Sequence, residues 1–66
     1  MFLRANDVKE ILNVSQAMSY KVIRTLNTEL KEKGYLTVQG RIPIDYLCER
    51  YKIDENEVRR IILNEN

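Results

Sequence analysis

Few side chains in this sequence have the chemistry for covalent or acid–base catalysis, and each has a structural reading close at hand. Ser15 and Ser19 are the serines, Cys48 is the single cysteine, and histidine is absent. A serine nucleophile needs a base to take its proton, and near neutral pH that base is most often histidine. Ser15 instead stands just before an unbroken helical stretch, where a hydroxyl serves as N-cap. Cys48 lies with Ile44, Leu47 and Tyr51 at the spacing of one buried helix face and reads as a small core residue. Asp54, Glu55 and Glu57 gather where a helix would begin, the end at which the dipole favours negative charge. One cysteine excludes an internal disulfide, and without histidine a structural zinc cluster is not plausible. Two glycines, Gly34 and Gly40, are too few for a phosphate-cradling loop. No catalytic residue, no metal ligand, no cofactor and hence no enzyme is expected.

Recognition chemistry is better represented. With Gln16 set at zero on a helical wheel, Asn27 falls at about 20°, Tyr20 at about 40°, Lys31 at about 60°, Arg24 at about 80°, Ala17 at about 100°, Thr28 at about 120° and Lys21 at about 140°. This face is polar and basic. No carboxylate occurs between Ser15 and Thr28, while Glu29 and Glu32 fall off the centre of the face, at about 220° and 160°. A helix face that is merely solvated usually mixes both signs. Glutamine and arginine can pair with base edges, lysine and serine can hold phosphates, and tyrosine can pack on sugar or a thymine methyl. Double-stranded DNA is the partner such a face suits.

The elements needed to position that face can be read in order. Phe2 and Leu3 suit a short extended start, and Asn6 is the expected N-cap of a first helix carrying Val8, Ile11 and Leu12. Asn13 then supplies the left-handed residue of a tight turn, with Ser15 as the next cap. The second helix runs from Gln16 to Lys33, with Gly34 just past its end. Met18, Val22, Ile23, Leu26 and Leu30 form its inward stripe. Tyr35 to Val38 and Arg41-Ile42 alternate like two strands around Gln39-Gly40, which predicts a small β-hairpin. Pro43 opens a third helix whose buried face is Ile44, Leu47, Cys48 and Tyr51. Asp54 and Glu57 form a capping box for a last helix with Val58, Ile61 and Ile62 on one side, fraying over Asn64, Glu65 and Asn66. The expected fold is mainly α with a small β-hairpin: a winged helix-turn-helix in the order (β)-α-turn-α-β-hairpin-α-α. It makes one domain over 1–66, with 54–66 as an extra C-terminal helix.

Sixty-six residues leave room for one modest core. Net charge is +1 but unevenly spread. Up to Pro43, seven cations face four carboxylates, a net +3; from Ile44 onward four face six, a net −2. A basic front suits an anionic partner. No stretch approaches the roughly 20 apolar residues of a membrane span, and the start lacks a signal peptide's apolar centre, so the expected location is cytoplasmic, with no membrane partner.

The run from Ala5 through Val8, Ile11, Leu12, Asn13, Val14, Ser15, Tyr20 and Lys21 to Arg24, followed by Gly34-Tyr35-Leu36-Thr37 and Gly40-Arg41-Ile42-Pro43, resembles the small excisionase and MerR-like winged helix-turn-helix proteins of phages and mobile elements. The match covers roughly residues 2 to 51, with Asn13 at the usual turn glycine. The resemblance implies that Gln16, Ala17, Ser19, Tyr20, Lys21 and Arg24 belong to the groove-facing helix, and Gln39, Gly40 and Arg41 to the wing; Ser15, the cap of that helix, and Asn27, on the same face of the wheel, join them as expected DNA contacts. It also implies a non-enzymatic protein that assists integrase-driven excision by binding and bending DNA, or a small transcription regulator. The affinity of one such small module should be modest, so specific sites would need two or more copies, as a homodimer or a cooperative array on DNA; the resemblance adds an integrase as a partner. The alternative is a protein-interaction module that meets a host or phage protein through the Tyr20 face or the last helix.

Overall fold

Six short elements follow one another: β1 (Phe2–Leu3), α1 (Ala5–Leu12), α2 (Gln16–Glu32), β2 (Ile42–Pro43), α3 (Ile44–Tyr51) and α4 (Glu55–Leu63). They come from a computed structural model that describes residues 1–63, so the fraying expected over Asn64, Glu65 and Asn66 lies outside the described residues. Among these residues the protein is mainly helical, with four helices and one small antiparallel sheet in which Phe2 faces Pro43 and Leu3 faces Ile42. This arrangement is consistent with a small winged helix-like fold.

The first helix starts earlier than its asparagine suggests. Arg4, not Asn6, is the N-cap, because Asp7 reaches back and its Oδ2 accepts from the Arg4 backbone N–H at 3.0 Å. At the other end Asn13 takes the left-handed conformation (φ 55°, ψ 51°), and its N–H and that of Val14 both donate to the Lys9 carbonyl. The chain thereby reverses within three residues. Ser15 then caps α2 as expected, its Oγ accepting from the Met18 N–H at 3.1 Å. Gly34 (φ 91°) closes α2: its N–H donates to the Lys31 carbonyl and the Tyr35 N–H to the Leu30 carbonyl, the paired bonds of a Schellman motif.

The expected hairpin is not formed. Tyr35 to Val38 belong to no strand, and Ile42-Pro43 pairs with β1 at the start of the chain. The turn itself is present, with the Arg41 N–H donating to the Val38 carbonyl at 3.1 Å and Gly40 at φ 80°. A glycine with positive φ at the third turn position, after a residue with negative φ, fits type II, which splays flanking strands where the hairpin types would align them. Asn27 also intervenes: its Nδ2 donates to the carbonyls of both Val38 and Arg41, at 3.1 and 3.0 Å. Two rungs back, the residue opposite Leu36 would be Pro43, which has no N–H to give.

The core collects Leu3, Val8, Ile42, Leu47 and Val58 at zero exposure, with Val22, Ile23, Leu26, Leu30, Ile44, Tyr46 and Cys48 around them. α1 packs on α2, and α4 closes the other side against α1 and α3. Three expected core residues lie outside: Met18, Tyr51 and Ile61 are 45%, 45% and 40% exposed. Met18 sits at the edge of the α2 stripe, and Tyr51 at the last position of α3. Tyr46 goes inward from the opposite flank of α3, because α2 covers it. Burial raises the pKa of the Cys48 thiol, with the neighbouring Glu55 and Asp54 carboxylates adding to the shift. Asp54 does cap α4, its Oδ1 accepting from the Asn56 N–H, while Glu57 pairs with Arg60 instead of completing a capping box.

Candidate nucleic-acid interface

The α1–turn–α2 unit exposes one flank of α2, and the segment from Gly34 to Arg41 runs back along it. Between them lies a groove of about 670 Å³ lined by Tyr20, Ile23, Arg24, Asn27, Thr28 and Lys31 of α2 and by Thr37, Gln39 and Gly40 of the returning segment. A second depression of about 330 Å³ adjoins it across Tyr20 and Gly40, and adds Arg4, Ala5, Asn6, Gln16 and Arg41. The two linings hold the cations Arg4, Arg24, Lys31 and Arg41 and no carboxylate. The concavity is therefore positive throughout. Its low-dielectric walls strengthen the field that such charges project on a polyanion.

The expected site residues are placed as follows. Gln16, Tyr20, Arg24, Gln39, Gly40 and Arg41 line these two depressions and are exposed. Gln16 Nε2 stands 3.4 Å from the Tyr20 hydroxyl, a long contact that leaves both side chains at the surface. Ser15, Ala17 and Lys21 are also exposed, outside the lining. Because the Ser15 oxygen serves the helix as acceptor, its own O–H remains free to donate.

Two expectations need correction. Ser19 is fully buried, and its hydroxyl donates to the Gln16 carbonyl at 2.6 Å, so no duplex can reach it. Asn27 lines the groove but spends both amide hydrogens on the Val38 and Arg41 carbonyls, and its Oδ1 is buried without a partner. It positions the turn rather than offering a donor to a ligand. Arg4, Asn6 and Thr37 were not expected at the site. Nothing local marks Arg4 and Asn6, since they reach Gln16 and Arg41 only through the fold. Thr28 and Lys31 did carry a signal, their place on the basic face of the wheel.

Across the helix the charges are arranged differently. Glu29 accepts from Arg50 through both carboxylate oxygens, at 2.7 and 2.8 Å, and from the Tyr46 hydroxyl at 2.7 Å. The Arg50 bonds, followed by the tyrosine's, lower its pKa from 4.5 to about 2, and the same contact raises that of Arg50. Lys33 Nζ lies 4.9 Å from the centre of the Tyr46 ring, a cation–π contact that completes the seam between α2 and α3. Glu32 and Glu49 border the same surface. Among the described residues no group of three histidine, cysteine or acidic side chains is disposed to hold a metal ion, and no helix is long and apolar enough to cross a membrane.

The chain is 54% identical over 41 residues to the ICEBs1 excisionase of Bacillus subtilis (strain 168). The aligned stretch is 62% of this chain and 64% of that protein, less than two thirds of either. No protein-family model matches the chain, and no solved structure matches it. The similarity supports an excisionase-like small protein of a mobile element.

Proposed function

We propose that this protein is a non-enzymatic, sequence-specific DNA-binding factor of the excisionase type, setting the direction of recombination for a mobile element. On this reading residues 1–66 act as one winged helix-turn-helix domain. The exposed flank of α2 enters the major groove, with Gln16, Tyr20 and Arg24 at base edges, and the Val38–Arg41 turn is the wing. Ser15, Lys21, Lys31, Arg41 and Arg4 hold phosphates on either side. One module of this size buries little surface on DNA, so specific sites take more than one copy, as a dimer or a row. An integrase is the protein partner that the similarity to an excisionase suggests.

The observation that carries the proposal is the groove beside α2 together with the depression adjoining it, whose linings hold four cations and no carboxylate. Cations that line a concavity without any carboxylate beside them in the lining favour an external anion. The test is a titration onto duplex DNA at several salt concentrations. About four phosphate contacts give a slope of log K against log salt near −3.6. Arg24→Ala should weaken specific binding about ten-fold and Lys21→Ala should flatten the slope by about one. Arg60→Ala, on α4, should change neither. If Arg24→Ala and Lys21→Ala both bind as the wild type does, α2 is not the reading helix.

A further inference from the structure

Three of the four residues from Tyr35 to Val38 are apolar and turned to solvent: Tyr35 is 63%, Leu36 100% and Val38 46% exposed. A short segment rich in strand-forming residues would ordinarily bury one face, and this one does not. Nor is it a slack loop. The Schellman bonds fix its start at Tyr35, and Asn27 fixes its end at Val38, so Leu36 is presented between two anchored points. Thr37, between the apolar residues, and Gln39 and Gly40, just beyond them, line the positive groove.

We propose that Leu36 is an apolar wedge that enters the minor groove beside the α2 contact and partly unstacks a base step there. The inference rests on the DNA-binding reading above. What selects a duplex as the occupant is charge. From Gly34 to Pro43 the chain carries Arg41 and no carboxylate, and Thr37, next to Leu36, lines the groove that also holds Arg24 and Lys31. A polyanion answers those cations while its groove floor takes the leucine. A second copy of this chain laid on the same segment would bring the cations of both copies together. Leucine is among the side chains that kink duplexes by insertion, and flexible pyrimidine–purine steps yield most easily.

The experiment uses the full chain and a duplex enriched by it from a randomised pool, carrying 2-aminopurine at successive positions and a donor–acceptor dye pair at its ends. Wild type should raise the fluorescence of one step and shorten the end-to-end distance. Leu36→Ala, a change at a fully exposed position, should lose both signals and about ten-fold in affinity while keeping the salt slope. Leu36→Phe should restore the unstacking signal. The wedge is overturned if Leu36→Ala unstacks and bends as wild type does while Arg24→Ala is still weakened. It is equally overturned if Leu36→Ala loses only the cooperativity between copies. A pool that yields no retained duplex overturns the DNA-binding reading itself, and the wedge with it.

Discussion

Arg24 and Glu29 stand five residues apart on α2, on different flanks, and differ in what answers their charge. Glu29 is met by both arms of the Arg50 guanidinium and by the Tyr46 hydroxyl. Arg24 has no ion-pair partner among the described residues and borders a groove that also holds Lys31, next to a depression that adds Arg4 and Arg41. The first charge belongs to the fold: it fastens α2 to α3. The second faces outward, over a concavity, and costs the fold little while remaining available to a ligand. A net charge near zero conceals this division, because acids of the α3 side offset cations of the groove side in the total.

The division depends on keeping the Gly34–Arg41 segment in place, and Asn27 is the residue on which that rests. Asn27→Asp should have the largest effect of any single change on the groove side. It replaces two donated hydrogen bonds by a carboxylate set against two carbonyl oxygens, and it puts the only anion into a cationic groove. Losing two hydrogen bonds at roughly 0.5–1.5 kcal/mol each costs about 1–3 kcal/mol, and repulsion adds to it. DNA affinity should fall more than about 100-fold, by electrostatics and by displacement of the turn. Asn27→Ala separates these causes: it removes the donors without the charge and should cost about 1–2 kcal/mol in denaturant unfolding. Full binding by Asn27→Asp would show that the turn needs no tether and that the groove's sign is irrelevant.

The opposite flank gives a complementary test, on stability and not on binding. The Glu29 carboxyl has a folded pKa of about 2, below its ordinary 4.5. A depressed carboxyl pKa stabilises the fold at pH values above the ordinary one, and that contribution fades as pH falls from 4.5 toward 2. Glu29→Gln should therefore melt a few degrees below wild type at pH 7, the gap closing through this window, as circular dichroism melts at stepped pH would record. DNA affinity at pH 7 should be unchanged. A loss of binding comparable to that of Arg24→Ala would mean that both flanks of α2 meet the ligand, and the contrast between them would dissolve.

Much of the site was legible along α2 because one helix carries its own geometry. The wheel that put Gln16, Tyr20, Arg24, Thr28 and Lys31 on one flank needed only the 100° step. The same wheel contained the correction for Ser19. Its direction, about 300°, lies within about 5° of the mean of Val22, Ile23, Leu26 and Leu30, whereas Met18 at about 200° lies at the rim. The family resemblance places Ser19 outward against its position on the wheel, and apolar type places Met18 inward although it stands at the rim. The hairpin failed for a different reason. Alternation in Tyr35 to Val38 announces strand preference, but strand pairing is decided by what competes for the same carbonyls, and Asn27 is several residues away in sequence. Arg4 and Asn6 reach the groove through the packing of α1 on α2, and no local pattern carries that information. Asn13 was readable because asparagine tolerates a left-handed turn; Lys52 was not.

Lys52 supplies the smallest and cleanest prediction. α3 ends as α1 does, with a left-handed residue (Lys52, φ 56°, ψ 51°) whose N–H donates to the Cys48 carbonyl and a following N–H, from Ile53, that donates there too. The two reversals share a geometry but not a residue type. A lysine in that region carries a clash between its Cβ and the following carbonyl oxygen that glycine lacks. Lys52→Gly should thus stabilise the protein by about 0.5–1 kcal/mol, the relieved clash exceeding glycine's extra freedom in the unfolded chain. At Asn13 the same substitution should gain less, since asparagine already enters this region at lower cost. Lys52 is on neither groove lining, so DNA affinity and salt slope should stay at wild-type values. Denaturant midpoints of the two glycine variants, compared with each other, check the ordering: an Asn13→Gly gain equal to or above that of Lys52→Gly would place the strain in the α1–α2 turn, on the groove side of the molecule.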